Sequence, residues 1–337
     1  MNTIIFILSL FSLIYCAKKV DVYFTRKITP EAMVEMFEKL NVNLSGKVAH
    51  KVHSGEPNGP YFLRPNFLQK IYERTNGTFV ECNVAYDSTR LNTSTHIKTL
   101  QTNGWYDNSR RFEIMDEDPT KDITFDIENH KKINITYAGK NLEKYYSCVV
   151  LSHFKGHPMG GIGGALKQLS IGFASTQGKA WIHTGGKSRN PNDFNRNLAT
   201  QEEFMASMAD AASVIVKYFK EKGNIVYISV LANISQSCDC TGIKAPKPRI
   251  KDIGILASTD PVAIDRACLD LIKNTNDEGT KDFMNQVKNS LAENIIINAE
   301  ALNIGTTLYN LINIDGNPGS FIGLNYIIIL LIVLSFI

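Results

Sequence analysis

The chain has 337 residues, 44% hydrophobic and 20% charged, with a formal net charge of +3. That is enough chain for one large folded domain or two modest ones, and the composition is that of a globular protein. Neither the net charge nor any Lys/Arg run or basic–aromatic patch supports a nucleic-acid partner, and that class is set aside.

Residues 1–15 carry no charge around an apolar core (IIFILSLFSLIY), and Cys16 and Ala17 precede Lys18 and Lys19. The pattern predicts a secretory signal peptide over residues 1–16, with a membrane anchor as the alternative. Residues 20–24 (VDVYF) alternate and predict a first strand. Thr29 then caps a helix with Pro30 at its first position and an apolar stripe of Met33, Val34, Met36, Phe37 and Leu40. Residues 47–53 (KVAHKVH) predict a second strand, with Val48, His50 and Val52 on one face and Ala49, Lys51 and His53 on the other. A lysine and a histidine sharing a face read either as part of a site or as a solvent-facing edge strand.

Residues 66–74 and 96–103 predict helices, and residues 79–85 (FVECNVA) a third strand that ends in Tyr86 to Arg90. Residues 104–144 read as short strands and loops, with the acidic cluster 116–118 as a solvated turn. Residues 145–151 (YYSCVVL) are a nearly continuous apolar run, the signature of a strand buried on both faces. It leads into residues 152–167 (SHFKGHPMGGIGGALK), where two histidines, a lysine, a proline and five glycines precede a helix start. A strand, a glycine loop and a helix start are where α/β proteins bind anions or cofactors, because unpaired helix N–H groups point there. The order of residues is neither that of a Walker loop nor that of a dinucleotide fingerprint. A glycine-rich turn that only packs the helix onto the sheet is the structural alternative.

Residues 178–183 bring another lysine and histidine, and residues 184–199 read as a surface loop. Thr200 and Glu203 form a capping box for a helix that Gly223 stops. Residues 225–232 (IVYISVLA) and 252–257 (DIGILA) predict buried strands. Asp260 caps a further helix with Pro261 at its first position, and Cys268 falls on its apolar face. Residues 309–314 predict an edge strand. Strands alternating with helices predict an α/β fold with a largely parallel mixed sheet and helices on both faces. Residues 17–314 are read as a single domain of this kind. Beyond it, residues 321–337 form an apolar tail preceded by the small, flexible residues 315–320. Residues 315–337 therefore predict a membrane anchor signal, for GPI attachment or as a single spanning tail, with the folded part facing the lumen or the outside.

Several polar groups fall just after predicted strands: Lys51/His53, Asp87, His153/Lys155/His157, Cys238/Asp239/Cys240 and Asp260. If those strands are parallel, all share one rim of the sheet. Cys238 and Cys240 project to the same side of an extended chain and can reach one soft metal; with one histidine they would leave an open coordination position. A redox dithiol or a disulfide is the alternative reading. The expected metal ligands are thus His153, His157, Cys238 and Cys240, for a transition metal. Ferredoxin-type cysteine spacing is absent, which argues against an iron–sulfur cluster. Lysines at 51, 155, 167 and 179 suggest a small anionic ligand, a carboxylate or phosphate. Lys51, His53, Lys155 and Lys167 are the candidate catalytic residues, and Gly160, Gly161, Gly163 and Gly164 the candidate cofactor-binding backbone. No Gly-x-Ser-x-Gly supports serine nucleophile chemistry. The cysteines left after residue 16 are odd in number and irregularly spaced, which is not a small-scaffold disulfide framework. Asn-x-Ser/Thr sequons begin at Asn43, Asn76, Asn92, Asn134 and Asn233 and give weak support to a glycoprotein.

Residues 152–167, Cys238 to Cys240 and residues 252–265 (DIGILASTDPVAID) resemble the family called domain of unknown function 362. So do residues 51–56, 63–65, 178–183, 299–300 and 309–312, in order along the chain. Many prokaryotic members look like iron–sulfur proteins with a ferredoxin-like insert after the segment matching residues 178–183. Here residues 184–199 contain no cysteine, so that cluster is not carried over. A remote similarity to nickel-dependent lactate racemases would imply a metal-cofactor site. The expectation is an extracytoplasmic, membrane-anchored protein with a metal- or anion-binding site, whose catalytic reading is a metal-dependent enzyme on a small anionic substrate. The competing expectation is a non-catalytic surface binding protein.

Overall fold

The computed structural model describes residues 19–106, 110–194, 196–237 and 239–316. The expected signal peptide, the apolar tail 321–337 and Cys238 lie outside the described residues. The chain begins with β1 (Val20–Thr25), α1 (Pro30–Lys39), β2 (Val48–Lys51), α2 (Gln69–Thr75), β3 (Thr78–Glu81), α3 (Thr93–Thr102) and β4 (Phe112–Ile114). An antiparallel pair, β5 (Asp122–Asp126) and β6 (Ile135–Gly139), precedes β7 (Ser147–His153). Next come β8 (Lys155–His157), β9 (Gly161–Gly163), α4 (Ala165–Lys167) and α5 (Thr176–His183). The remainder is α6 (Gln201–Lys222), β10 (Ile225–Leu231), β11 (Gly254–Ser258), α7 (Pro261–Lys273), α8 (Thr280–Asn289), α9 (Glu293–Ala301) and β12 (Tyr309–Asn313).

The main sheet has the order β12-β1-β11-β10-β7-β2-β3-β4. Every pairing in it is parallel except the two made by β11, so one strand runs against the other seven. This is the α/β fold with a largely parallel mixed sheet that the alternation of strands and helices predicts. Both faces are covered. One carries side chains of α4, α6, α7, α8 and α9 against Ala49, Val80, Cys148, Val150, Tyr227 and Leu256. The other carries α1, α2 and α3 against Val48, Phe79, Val149, Ile228 and Ile255.

Local chemistry explains the boundaries. The Thr29 side chain accepts from the Ala32 N–H with Pro30 at the first turn of α1, and the Thr200/Glu203 capping box opens α6 as expected. Asp260 accepts from Val262 and Ala263 at 2.8 Å and from Thr306 at 3.0 Å. Its single carboxylate therefore joins the start of α7 to the turn before β12.

Several expectations are corrected. β2 is not an edge strand; it is fully buried between β7 and β3. The alternation within it holds: His50 packs among Tyr72 and Phe79 with ring centroids 5.9 and 5.5 Å away, while Lys51 and His53 face the other side. The glycine-rich stretch is a β8–β9 hairpin rather than an open loop. At its bend Gly161 adopts φ +67°, and an added side chain there would strike Ser290 and Ala292. Residues 178–183 lie within a helix. Asp116, expected in a solvated turn, is 2% exposed and accepts from the Asn83 and Thr176 N–H groups at 2.7 and 2.9 Å. Because β11 is antiparallel, Asp260 lies at the opposite rim from the groups that follow β2, β3, β7 and β10.

Replacing Asp260 with alanine removes the acceptor for three N–H groups. An unfolding titration in urea should show a loss of about 2 kcal/mol, the upper range for a helix N-cap.

Candidate functional site

β2 and β7 are neighbours, but the chain proceeds from β2 to β3 on one side and from β7 to β10 on the other. The segments that leave their carboxyl ends therefore diverge, and a crevice opens at this switch point. It holds a cavity of about 300 Å³. β2 delivers Lys51 and His53, β3 delivers Glu81 and Cys82, and β7 delivers His153 followed by Lys155 on β8. The hairpin and α4 add His157 and Lys167, and α5 adds Lys179 and His183. After Lys167 the helix widens into a π-turn over residues Gln168–Gly172, a device that shifts side-chain direction and recurs at functional sites. It brings the Gln168 side-chain oxygen Oε1 to 2.9 Å from Lys51 Nζ, which donates to it.

Among the described residues cationic side chains dominate the lining: Lys51, Arg90, Lys155, Lys167 and Lys179, against one lining carboxylate, Glu81. Glu81 is already engaged. It accepts from Arg90 and His96 at 3.0 and 3.2 Å and from both the N–H and the hydroxyl of Ser54. Burial pushes its pKa up, but Arg90 and His96 outweigh that and hold it well below the usual range. Arg90 also grips Glu56 at 2.9–3.0 Å. Lys155 pairs with Asp239 at 2.8 Å; burial raises that carboxyl, and His153 and Lys155 more than reverse the effect. Lys51 donates to the Val52 carbonyl at 2.6 Å, and Lys179 to the Ala174 carbonyl at 2.5 Å. Lys167 has no hydrogen-bond or ion-pair partner among the described residues. Burial, then the charges of Lys155, Lys51, Lys179 and Arg90, pull its pKa down to about 7, and burial pulls Lys51 down to about 8. Both shifts have the same leading cause: desolvation disfavours the protonated amine, and for Lys167 the neighbouring cations add to it.

The histidines divide by tautomer. His53 Nδ1 accepts from the Gly55 N–H at 3.1 Å, and His157 Nδ1 accepts from the Met159 and Gly160 N–H groups at 3.2 and 2.9 Å. In each neutral ring the proton therefore resides on Nε2. Burial, followed by Arg90 for His53 and by Lys167 for His157, keeps both pKa values well below the ordinary one. His183 is the reverse case: Nδ1 faces the Lys179 carbonyl at 2.7 Å and must donate, so Nε2 carries the lone pair. Burial lowers its pKa to about 3. Its ring lies between Phe194 and Phe204, with centroids at 4.4 and 4.7 Å.

The structure brings together all four candidate catalytic residues, Lys51, His53, Lys155 and Lys167, at this cavity. Gly163 and Gly164 line it, whereas Gly161 turns toward Ser290 and Gly160 donates to His157. The expected helix-terminus anion site is corrected. The Asp265 carboxylate already accepts from the Ala165 and Leu166 N–H groups at 2.7 and 2.9 Å, so they are not open to a ligand. The metal set does not fit either. Both ring nitrogens of His153 face oxygens, Asp239 at 2.9 Å and the Ala232 carbonyl at 2.7 Å, which leaves no lone pair for a metal. Cys240 lines the cavity but is disulfide-bonded, so its sulfur is not a thiolate. His157 lines the cavity with its Nδ1 engaged, and Cys238 lies outside the described residues. Among the described residues no three His, Cys, Asp or Glu side chains gather as a metal cluster. Asp87 is exposed and away from the lining. Glu81 and Arg90 were not singled out from sequence. The available signal was an acid inside an apolar strand, which needs a buried cation as partner.

The family model described as domain of unknown function (DUF362) matches residues 48–270. The chain belongs to that family. The matched span holds every cavity-lining residue named above. No curated protein matches the chain. Among solved structures, the lactate racemase apoprotein from Thermoanaerobacterium thermosaccharolyticum is 12% identical, with TM-score 0.40, over 64% of this chain and 51% of that one. A protein from Thermotoga maritima is 12% identical, with TM-score 0.39, over 71% and 57% of the two chains. The chain thus spans little more than half the length of either, and likenesses this loose carry no chemistry across.

The crowded amines make stability depend on pH. Lys51 and Lys167 have folded pKa values of about 8 and 7 against 10.5 when free. Between those limits the unfolded chain binds more protons than the folded one, so stability must rise with pH. Thermal melts in a low-affinity buffer should show the midpoint climbing as pH increases from about 7. Lys167→Met should flatten that climb.

Proposed function

We propose that the protein binds a small anion, a carboxylate or a phosphate, in the cavity at the β2–β7 switch point. The observation that carries this reading is the charge imbalance: of the five cationic side chains that line the cavity, Arg90 and Lys155 are paired with carboxylates, and Lys51, Lys167 and Lys179 have none among the described residues. Desolvated like charges repel strongly, and an anion among them offsets that repulsion. The Nε2–H groups of His53 and His157 supply neutral donors that would orient the ligand. The remaining lining is partly apolar, through Val84, Ala85, Met159, Ile171 and Phe194, which suits a small organic anion.

The reading places this activity in the secretory pathway, on a protein held at a membrane. The apolar, signal-like residues 1–16 and the apolar tail support it. The disulfide at Cys240 agrees with an oxidising compartment. Asn43, Asn76, Asn92, Asn134 and Asn233 are all exposed, as glycan acceptors would be. Among the described residues no helix is long and apolar enough to cross a membrane, so attachment would rest on the terminal segments.

Calorimetric titration of the purified protein with inorganic phosphate and with pyruvate tests the reading. Saturable binding of at least one is expected, weakening as pH rises through 7–8 while Lys167 and Lys51 lose their protons. Lys179→Gln should weaken binding by about tenfold, the loss of one charge-assisted hydrogen bond. Absence of binding by both anions at pH 6.5 would remove the proposal.

A further inference from the structure

The four cavity lysines are not equivalent. Lys155 is fixed on Asp239, Lys51 on the Val52 carbonyl and Gln168, and Lys179 on the Ala174 carbonyl. Lys167 lines the same cavity with no such partner among the described residues. Its stem runs beside Gly160, where an added Cβ would lie 3.6 Å from Lys167 Cδ. Three anchored amines and one unanchored amine around a single small cavity suggest two tasks, holding a ligand and reacting with it.

We propose that Lys167 is a nucleophilic amine that forms an imine with a small 2-oxo carboxylate bound in this cavity. The proposal rests on the anion-binding reading, since the anchored lysines would hold the carboxylate. The Lys167 nitrogen lone pair forms a C–N bond to the carbonyl carbon as the C=O π pair moves onto oxygen. One proton passes from nitrogen to that oxygen, giving a carbinolamine. The hydroxyl then takes up a proton and leaves as water while the nitrogen lone pair closes the C=N bond. The nitrogen's remaining proton returns to the site, so amine plus carbonyl becomes imine plus water and nothing is oxidised or reduced. His183 can accept a hydrogen bond from the Lys167 amine and orient it, because its Nε2 is the lone-pair nitrogen and it lines the cavity with Lys167. His157, with Nε2–H, can donate a hydrogen bond to the developing oxyanion. Desolvation among other cations favours the neutral amine that such a step requires, the general means of activating a lysine nucleophile.

The test is to incubate the full chain with pyruvate and sodium cyanoborohydride, then measure intact mass and map the modified peptide. One reduced pyruvyl group per chain, on the peptide containing Lys167, is expected. Inorganic phosphate should suppress it, and Lys167→Arg should abolish it. Exposed Lys251 serves as the internal reference for unselective labelling. Mapping in the unaltered protein decides the point even if the variant does not fold. Labelling of Lys167 no greater than that of Lys251, in protein that binds pyruvate by calorimetry, overturns the imine and leaves the anion site standing. Failure to bind either pyruvate or phosphate overturns both.

Discussion

Mutual repulsion among buried amines is the interaction that the rest of this molecule accommodates. Lys51 and Arg90 are each 1% exposed, with Lys155 and Lys179 close behind, and burial of one such cation is already costly without a partner. The fold supplies partners selectively. Arg90 receives two carboxylates, Lys155 receives Asp239, and Lys51 and Lys179 receive carbonyl oxygens. Lys167, which is only half-buried, receives none among the described residues. A structure under selection for stability alone would fill such a cavity with apolar side chains. That it retains the crowding is the physical reason to read a ligand site here.

The surrounding scaffold holds these groups rigidly. The hairpin that carries Lys155 and His157 is tied down from outside by two carboxamides. Gln286 donates to the His157 and Gln236 carbonyls, and Gln201 to those of Met159 and Ser290. The Gly156 N–H reaches the Ser235 carbonyl at 2.7 Å, which joins the hairpin to the segment after β10. Asp265 fixes the start of α4 from α7, and burial lifts its pKa to about 7 against the pull of the Leu166 and Ala165 N–H groups. This carboxylate occupies the place at a helix terminus where the glycine-rich sequence suggested an anion. The acceptor at this terminus is a side chain of the protein itself.

The metal expectation shows where local spacing misleads. A Cys-x-Cys pair and two nearby histidines are the right residue types for a soft metal. Ligation, however, depends on which lone pairs remain after folding. Once His153 bridges Asp239 and Ala232 and Cys240 enters a disulfide, those two donors are spent on the protein itself. The same lone-pair reasoning assigns complementary roles to the neutral imidazoles, donor for His53 and His157 and acceptor for His183. No sequence pattern carries that information, because the tautomer is set by which backbone group happens to face each Nδ1.

Patterns of short range were legible in the sequence. Alternation put Lys51 and His53 on one face of β2; Thr29, Thr200 and Asp260 marked helix starts; and strand–helix alternation implied a largely parallel sheet. These follow from side-chain periodicity and orphan helix N–H groups, which act within a few residues. Strand order was decided only by the tertiary structure. It made β2 central instead of an edge, reversed β11 and so sent Asp260 to the far rim, and placed the switch point between β2 and β7. It also buried Asp116 and joined Glu81 to Arg90 and His96. Those outcomes depend on pairings between segments tens to hundreds of residues apart, whose energies arise from burial and charge compensation across the sheet. The sequence named the lysines, and the fold decided which one is left without a partner among the described residues.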